Sequence, residues 1–289
     1  MRIALAANLA SGGGFDPAPV VQAMEARGAQ VTVGGCEADE LEALAAARPD
    51  RVAVAGGDGT IGRVAEVAGR LGVPLAVIPA GTANDFARAN GVPSDQGEAA
   101  ALAATGTTLR RLELGRLADG RPFVNVASAG LAADAARHAD PLKRLLGPLA
   151  YPAGALRAAL SNRPLEATLR VDGEEEFAGR AWQVIVAVTG AFGGGSEVGV
   201  ANPRDGELDV AILPAGSRLA LARRAWGLRL GTIAHQKPVE HHRGAVVELD
   251  LPPSVSLNVD GEVREGGLER VTVEAGAYEL VVPSASAPP

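Results

Sequence analysis

Three short runs in this 289-residue chain combine glycine with an acidic or hydroxyl side chain in patterns that could do chemistry. The first is Gly56-Gly57-Asp58-Gly59-Thr60, which follows the apolar run Arg51 to Ala55 and precedes a helical pattern from Ile61. Glycines there let the backbone approach a phosphate, and the N–H groups opening the helix form an anion site. An ordinary glycine-rich strand-to-helix turn has the same pattern, so this run alone is not decisive. Neither G-x-x-x-x-G-K-[ST] nor G-x-G-x-x-G occurs, which counts against P-loop and Rossmann sites. The second run, Pro79-Ala80-Gly81-Thr82-Ala83-Asn84-Asp85-Phe86, follows the apolar Leu75 to Ile78. A Gly-Thr pair at the carboxyl end of a parallel strand lies where open α/β sheets bind ligands, while Asn84 and Asp85 also suit helix capping. The third, Asn258-Val259-Asp260-Gly261-Glu262, lies between two alternating segments. Asp-Gly is a strong hairpin signal, and it recurs at Asp58, Asp119, Asp172 and Asp205, so the turn by itself assigns no function.

The elements that would carry these runs change character along the chain. Up to about Thr107, short apolar runs (Ile3 to Ala7, Val31 to Val33, Val52 to Ala55, Leu75 to Ile78) alternate with helical patterns (Val20 to Ala26, Ala38 to Ala47, Ile61 to Leu71). Continuous apolar strands between helices predict a doubly wound α/β domain over 1–107. Beyond it, Leu112 to Leu114, Leu165 to Val171, Val247 to Leu251 and Val255 to Val259 alternate in polarity between Asp-Gly turns, which predicts mainly antiparallel β structure over 108–275. Helical patterns interrupt it at Pro141 to Leu160 and Leu219 to Ile233, and Ser284 to Pro289 reads as a disordered tail.

Bulk properties narrow the function. The net charge of -7 argues against nucleic acid as a partner, because such proteins draw affinity from neutralising phosphates. A single Cys36 excludes an internal disulfide framework and suits a reducing cytoplasm. The opening MRIALAANLA reads as a first strand rather than a signal sequence, and with no run of 18 apolar residues any lipid chemistry would occur at the membrane surface. His138, His235, His241 and His242 make no metal spacing with Cys36, and His241-His242-Arg243 reads as a solvated turn before a strand at Ala245.

The pairing of GGDGT with GTANDFAR resembles the bacterial diacylglycerol and lipid kinases, relatives of sphingosine kinases and more distantly of NAD kinases and phosphofructokinases. The resemblance covers nearly the whole chain. It includes Asn8-Leu9-Ala10-Ser11-Gly12, Phe123 to Gly130, Lys143 to Tyr151, Phe192-Gly193-Gly194-Gly195 and Asp205-Gly206-Glu207-Leu208-Asp209, in the family's order. It implies an α/β nucleotide domain, completed by a segment near 276–283, and a C-terminal antiparallel β-sandwich that takes the lipid. It implies that ATP binds at Asn8, Ser11, Gly12, Thr32, Gly56, Gly57, Asp58, Gly59, Thr60, Gly81 and Thr82, with Asp58 organising Mg²⁺. A bound ion would brace the β domain through Asn202, Asp205 and Glu207, hard oxygen ligands that suit Mg²⁺. A carboxylate facing Asp58 across a domain cleft would accept the hydroxyl proton, Glu262 first and Asp260 second. Asp134 falls where some relatives keep another acidic residue.

The sequence departs from the family where Gly62-Arg63 replaces the usual Asn-Glu, and where Thr189-Gly190-Ala191 replaces Asn-x-Arg. The expected reaction is ATP-dependent phosphorylation of a lipid hydroxyl. The alternatives are a catalytically degenerate binder of the same fold and, behind it, an NAD kinase, which shares the GGDG loop and a β second domain, although Lys143 to Tyr151 and GTANDF suit the lipid kinases better. Diacylglycerol, phosphatidylglycerol, a long-chain base and a polyprenol-like alcohol all remain open as the lipid. A homodimer is compatible with the chain.

Overall fold

The computed structural model describes residues 1–131, 163–192, 196–197, 201–216, 239–253, 255–266 and 268–284. Asp134, the helical patterns over 141–160 and 219–233, the segment 143–151, glycines 193–195, His138, His235 and residues 285–289 lie outside the described residues. The chain divides into two compact units, Met1–Leu114 with Glu274–Pro289, and Gly115–Val273. The breaks follow Leu114 and Val273, where the sequence suggested 107 and 275.

The first unit runs β1 (Arg2–Ala7), α1 (Ala18–Glu25), β2 (Gln30–Gly34), α2 (Ala38–Ala46), β3 (Arg51–Gly56), α3 (Asp58–Leu71), β4 (Leu75–Pro79), α4 (Asp85–Ala89), α5 (Gln96–Thr105) and β5 (Leu109–Leu117). Strands β2, β1, β3 and β4 lie in that order and all pair in parallel. Every residue of β3 and β4 is buried, as expected where helices cover both faces of a parallel sheet. Helix α2 packs beside α3, and α1 beside α5. The chain steps from β1 outward to β2, then back past β1 to β3, so the order reverses between β1 and β3. In open α/β sheets, that reversal opens a ligand crevice at the carboxyl ends of the strands.

The second unit holds β6 (Pro122–Phe123), β7 (Val126–Gly130), β8 (Leu165–Val171), β9 (Glu174–Ala187), β10 (Ala191–Phe192), β11 (Ser196–Glu197), β12 (Leu208–Pro214), β13 (Glu240–Gly244), β14 (Val246–Asp250), β15 (Ser256–Val259), β16 (Glu262–Glu265) and β17 (Arg270–Val281). It is a β-sandwich with antiparallel pairing. Fourteen-residue β9 organises it: its first half pairs with β8, and its second half lies between β7 and β12. Alternate residues of these strands, among them Leu169, Val184, Val186, Val210, Leu249 and Leu257, build one apolar core. Strand β17 runs on into the first unit, where Leu280 pairs in parallel with Leu75 of β4.

His241-His242-Arg243 is not a turn, a correction to the sequence reading. It is the middle of β13, antiparallel to β12, with Ala211 opposite His241 and Asp209 opposite Arg243. The polar run hid a strand because its side chains bind carboxylates rather than an apolar core, as detailed below.

Candidate active site

Three loops leave the carboxyl ends of β1, β3 and β4 and touch one another at glycine. Gly12 has φ +60°, and a Cβ there would stand 2.6 Å from the Ala80 carbonyl oxygen, so only glycine lets the β1 loop lie against the β4 loop. A Cβ on Gly81 would stand 2.5 Å from the Cα of Gly57, and one on Gly57 would stand 3.3 Å from the Cα of Gly81 and 3.9 Å from Ser11 Oγ. These glycines are therefore needed first for the loops to meet. Replacing Gly57 with valine would disturb the loop packing as well as any phosphate approach.

Hydrogen bonds fix the same assembly. Asn8 Nδ2 donates to Thr60 Oγ1 at 3.2 Å, joining the β1 and β3 loops, while Asn8 Oδ1 accepts from the Ala10 N–H at 3.2 Å. Asn84, at φ +51°, clamps Gly81 from both sides: its Oδ1 accepts from the Gly81 N–H and its Nδ2 donates to the Gly81 carbonyl, each at 2.9 Å. The Asp58 carboxylate, nearly buried, accepts from the N–H of Asp85 at 3.1 Å and of Phe86 at 2.8 Å. Asp58 thus caps α4 from a neighbouring loop, and the fully buried Phe86 anchors that short helix in the core. Asn84 occupies the capping position of α4 but makes no side-chain cap, because its amide is spent on Gly81.

The N-cap of α3 is Gly57, which contributes no side chain to the opening turn of that helix. An uncapped helix start between the β1 and β4 loops offers backbone N–H groups and the positive end of the helix dipole to an anion. Asn8, Ser11, Gly12, Gly56, Gly57, Asp58, Gly59, Thr60, Gly81 and Thr82 all belong to this assembly. Thr32 does not. It lies on the edge strand β2 in register with Ala4 and Val52, four residues before the level of Gly56, or roughly 13 Å along the strand. Arg63, one turn further along α3, is 3.6 Å from Glu37.

In the second unit Asp260 and Gly261 form the two-residue loop between β15 and β16, with φ +47° and +89°. Asp260 is buried, and its carboxylate accepts from three successive backbone groups: Val124 N–H at 2.8 Å, Asn125 N–H at 2.9 Å and Val126 N–H at 3.0 Å. Asp172, at φ +50° in the matching Asp-Gly loop between β8 and β9, likewise accepts from Val246 N–H at 2.8 Å and Ala245 N–H at 3.3 Å. The two aspartates hold hairpins to neighbouring strands in the same way. Glu262, two residues beyond Asp260, is largely exposed and pairs with Arg121 at 3.1 Å. Of the two carboxylates singled out as proton acceptors, Glu262 has the freer side chain. Arg121 had no signature in the sequence, since it becomes Glu262's neighbour only through the fold.

The segment Asn202 to Asp209 departs from what a metal brace requires. The Asn202 carbonyl accepts from Arg204 N–H at 2.8 Å, and Asp205 Oδ1 accepts from Glu207 N–H at 3.2 Å. Arg243 Nη2 donates to Asp205 Oδ2 and lies 2.9 Å from Glu207 Oε2, while its Nε is 3.4 Å from Asp209 Oδ1. A guanidinium therefore stands where these carboxylates converge, and the residues present do not fit a metal there. Asp58 turns each carboxylate oxygen to one backbone N–H of α4, which ties the β3 loop to the β4 loop. Among the described residues no three His, Cys, Asp or Glu side chains gather to hold an ion.

A parallel α/β unit whose strand order reverses between β1 and β3, followed along the chain by a β-sandwich that carries an Asp-Gly-Glu hairpin, is the fold of the diacylglycerol kinases and NAD kinases. Residues 5–117 match the family described as diacylglycerol kinase catalytic domain, and residues 125–282 match that described as YegS C-terminal NAD kinase beta sandwich-like domain. A Pseudomonas fluorescens protein named probable lipid kinase YegS-like is 34% identical over 255 residues, covering 85% of this chain and 81% of that one. A Bacillus subtilis diacylglycerol kinase is 30% identical over 217 residues, covering 74% and 71%. Among solved structures, a Bacillus anthracis diacylglycerol kinase superposes with a TM-score of 0.76 at 21% identity, covering 98% of each chain. An Archaeoglobus fulgidus NAD kinase superposes with a TM-score of 0.53 at 15% identity, covering 97% of this chain and 93% of that one. The chain belongs to the diacylglycerol kinase and YegS-like lipid kinase family.

Proposed function

We propose that the protein transfers the γ-phosphoryl group of ATP to the hydroxyl of diacylglycerol or a related lipid. The observation that carries this reading is the glycine-to-glycine assembly of the β1, β3 and β4 loops around the uncapped start of α3. In this reading the phosphate chain lies on the backbone N–H groups of Gly57 to Gly59, with the Asn8 and Gly12 loop on one side and Gly81 and Thr82 on the other. Asp58 is a positioning residue whose carboxylate locks the β3 and β4 loops into one body, so the cradle is formed before the nucleotide arrives.

Transfer forms a bond between the lipid oxygen and the γ-phosphorus, breaks the bond from that phosphorus to the ADP oxygen, and releases the hydroxyl proton. Glu262 accepts that proton. Its carboxylate is solvent-accessible and held by a single arginine, whereas the Asp260 oxygens are taken by three N–H groups. In this reading the lipid is met at the bilayer surface, and no described helix is long and apolar enough to cross a membrane.

The test is purified protein with labelled ATP and Mg²⁺, presented with diacylglycerol, phosphatidylglycerol, a long-chain base and a polyprenol in mixed micelles, and separately with NAD⁺. Phosphate on one of the lipids is expected. Label on NAD⁺ alone, or nucleotide binding with no transfer to any acceptor, would overturn the proposal.

A further inference from the structure

We propose that Arg243 is the resident cation of the Asn202 to Asp209 segment, so that this part of the sandwich is held closed by a guanidinium and needs no divalent ion. Four observations converge on it. Antiparallel register puts Arg243 directly opposite Asp209, and opposed residues on one face of a sheet have side chains close enough to pair. The same guanidinium reaches three carboxylates: Asp205 and Glu207 through Nη2, and Asp209 through Nε. Asp209 is 0% exposed and also holds His241 Nε2 at 2.7 Å, so its charge is buried and must be answered from within the fold. Two further oxygens that a metal would take have partners, the Asn202 carbonyl in the Arg204 N–H and Asp205 Oδ1 in the Glu207 N–H, while Asp209 Oδ2 is buried with no hydrogen-bond partner.

The chemistry favours arginine in this geometry. Mg²⁺ demands near-octahedral oxygen at about 2.0–2.1 Å and gives up water reluctantly. A guanidinium offers five donors in a fixed plane, is always charged, and suits carboxylates arranged around its edge. The chain Asp205-Gly206-Glu207-Leu208-Asp209 brings alternate acidic residues to one side, and β13 lays Arg243 across them. The arrangement closes the loop at the entry to β12, the strand that flanks the second half of β9.

The test is thermal melting of the full chain without nucleotide, in EDTA and in millimolar MgCl₂, for the wild type, Arg243→Ala, Arg243→Lys and Asp205→Asn. The wild type should melt at the same temperature in both solutions, to within about 1 °C, because an ion that does not bind the native state does not shift its stability. Arg243→Ala should melt lower by about 5–10 °C, since it strips the guanidinium from a buried carboxylate, and Arg243→Lys should lose less. If Arg243→Ala does not fold, the wild-type and Arg243→Lys arms still decide. A wild type that melts higher in MgCl₂ than in EDTA, with the response lost in Asp205→Asn, would overturn the proposal, as would Arg243→Ala melting like the wild type.

Discussion

Replacing Asp260 with asparagine separates a structural carboxylate from a catalytic one. Asparagine tolerates the left-handed φ of +47° that this turn demands, so the backbone is not the variable. What changes is hydrogen bonding. The carboxylate accepts from Val124, Asn125 and Val126 N–H groups at 2.8, 2.9 and 3.0 Å, the last two on one oxygen. An amide oriented to keep that oxygen must turn its own NH₂ toward the Val124 N–H, which loses one charge-assisted bond worth about 1.5–3 kcal/mol and opposes two donors. The two surviving bonds weaken from charged to neutral, since charge-assisted bonds are roughly twice as strong. Together these cost about 3–5 kcal/mol, and for a unit of this size that lowers Tm by about 10 °C. Melting followed by circular dichroism, together with hydrogen exchange at residues 124–126, measures it. The exchange should accelerate at those three amides before the rest of the sandwich. Asp260→Asn melting within about 2 °C of the wild type while losing turnover would refute the reasoning and return Asp260 to the chemistry.

Other outcomes follow from the same geometry. Glu262→Gln should lower kcat by about 100-fold or more, the scale of general base catalysis, while melting almost unchanged, because its exposed pair with Arg121 is worth about 0–1 kcal/mol. Steady-state kinetics and melting on one preparation check both halves, and near wild-type kcat would remove Glu262 from the role. Gly81→Ala should cost about 1–3 kcal/mol and weaken ATP binding together, since its Cβ would stand 2.5 Å from the Gly57 Cα and must push the two loops apart. Calorimetric titration with ATP and a melt would show the two losses, and retention of both properties would disprove the loop contact. Burial pushes the Cys36 thiol up from 9.0 to about 11, with nearby Arg63 opposing and Glu40 and Glu37 adding. The folded state thus holds the neutral thiol: its contribution to stability is complete below the ordinary thiol range and is lost as pH rises toward about 11. Iodoacetamide should leave Cys36 unmodified near neutral pH in the native protein and alkylate it after unfolding. Rapid native alkylation would contradict that burial.

The first unit was legible because its strands are buried on both faces and so read as unbroken apolar runs. Val52 to Ala55 and Leu75 to Ile78 lie within β3 and β4 as observed. Helix α5 leaves no periodic signature in the sequence, because Gln96 to Thr105 is alanine-rich and has no contrasting polar face. Its place is marked instead by Arg51, whose buried guanidinium donates to the carbonyls of Ala103 and Gly106 at the end of that helix. In the second unit the alternation of Leu165 to Val171 gave β8 directly, while β13 escaped because its pattern is set by partners on β12. For the site, the glycine loops announced themselves. The direction of each carboxylate did not: nothing local says that Asp58 turns to cap α4, or that Asp260 turns to three N–H groups 134–136 residues away in sequence. Thr32, which the resemblance puts among the ATP-binding residues, lies exposed on the edge strand β2.

The central claim is that the loop assembly presents the terminal phosphate of ATP to a lipid hydroxyl. Parallel incubations with ATP labelled at the γ-phosphate and at the α-phosphate, each with diacylglycerol micelles, test it most directly. The account predicts that γ-label appears in the lipid, one phosphate for each ADP formed, and that α-label stays entirely with the nucleotide. Loss of γ-label to water with none in any lipid, or transfer of α-label, would contradict it.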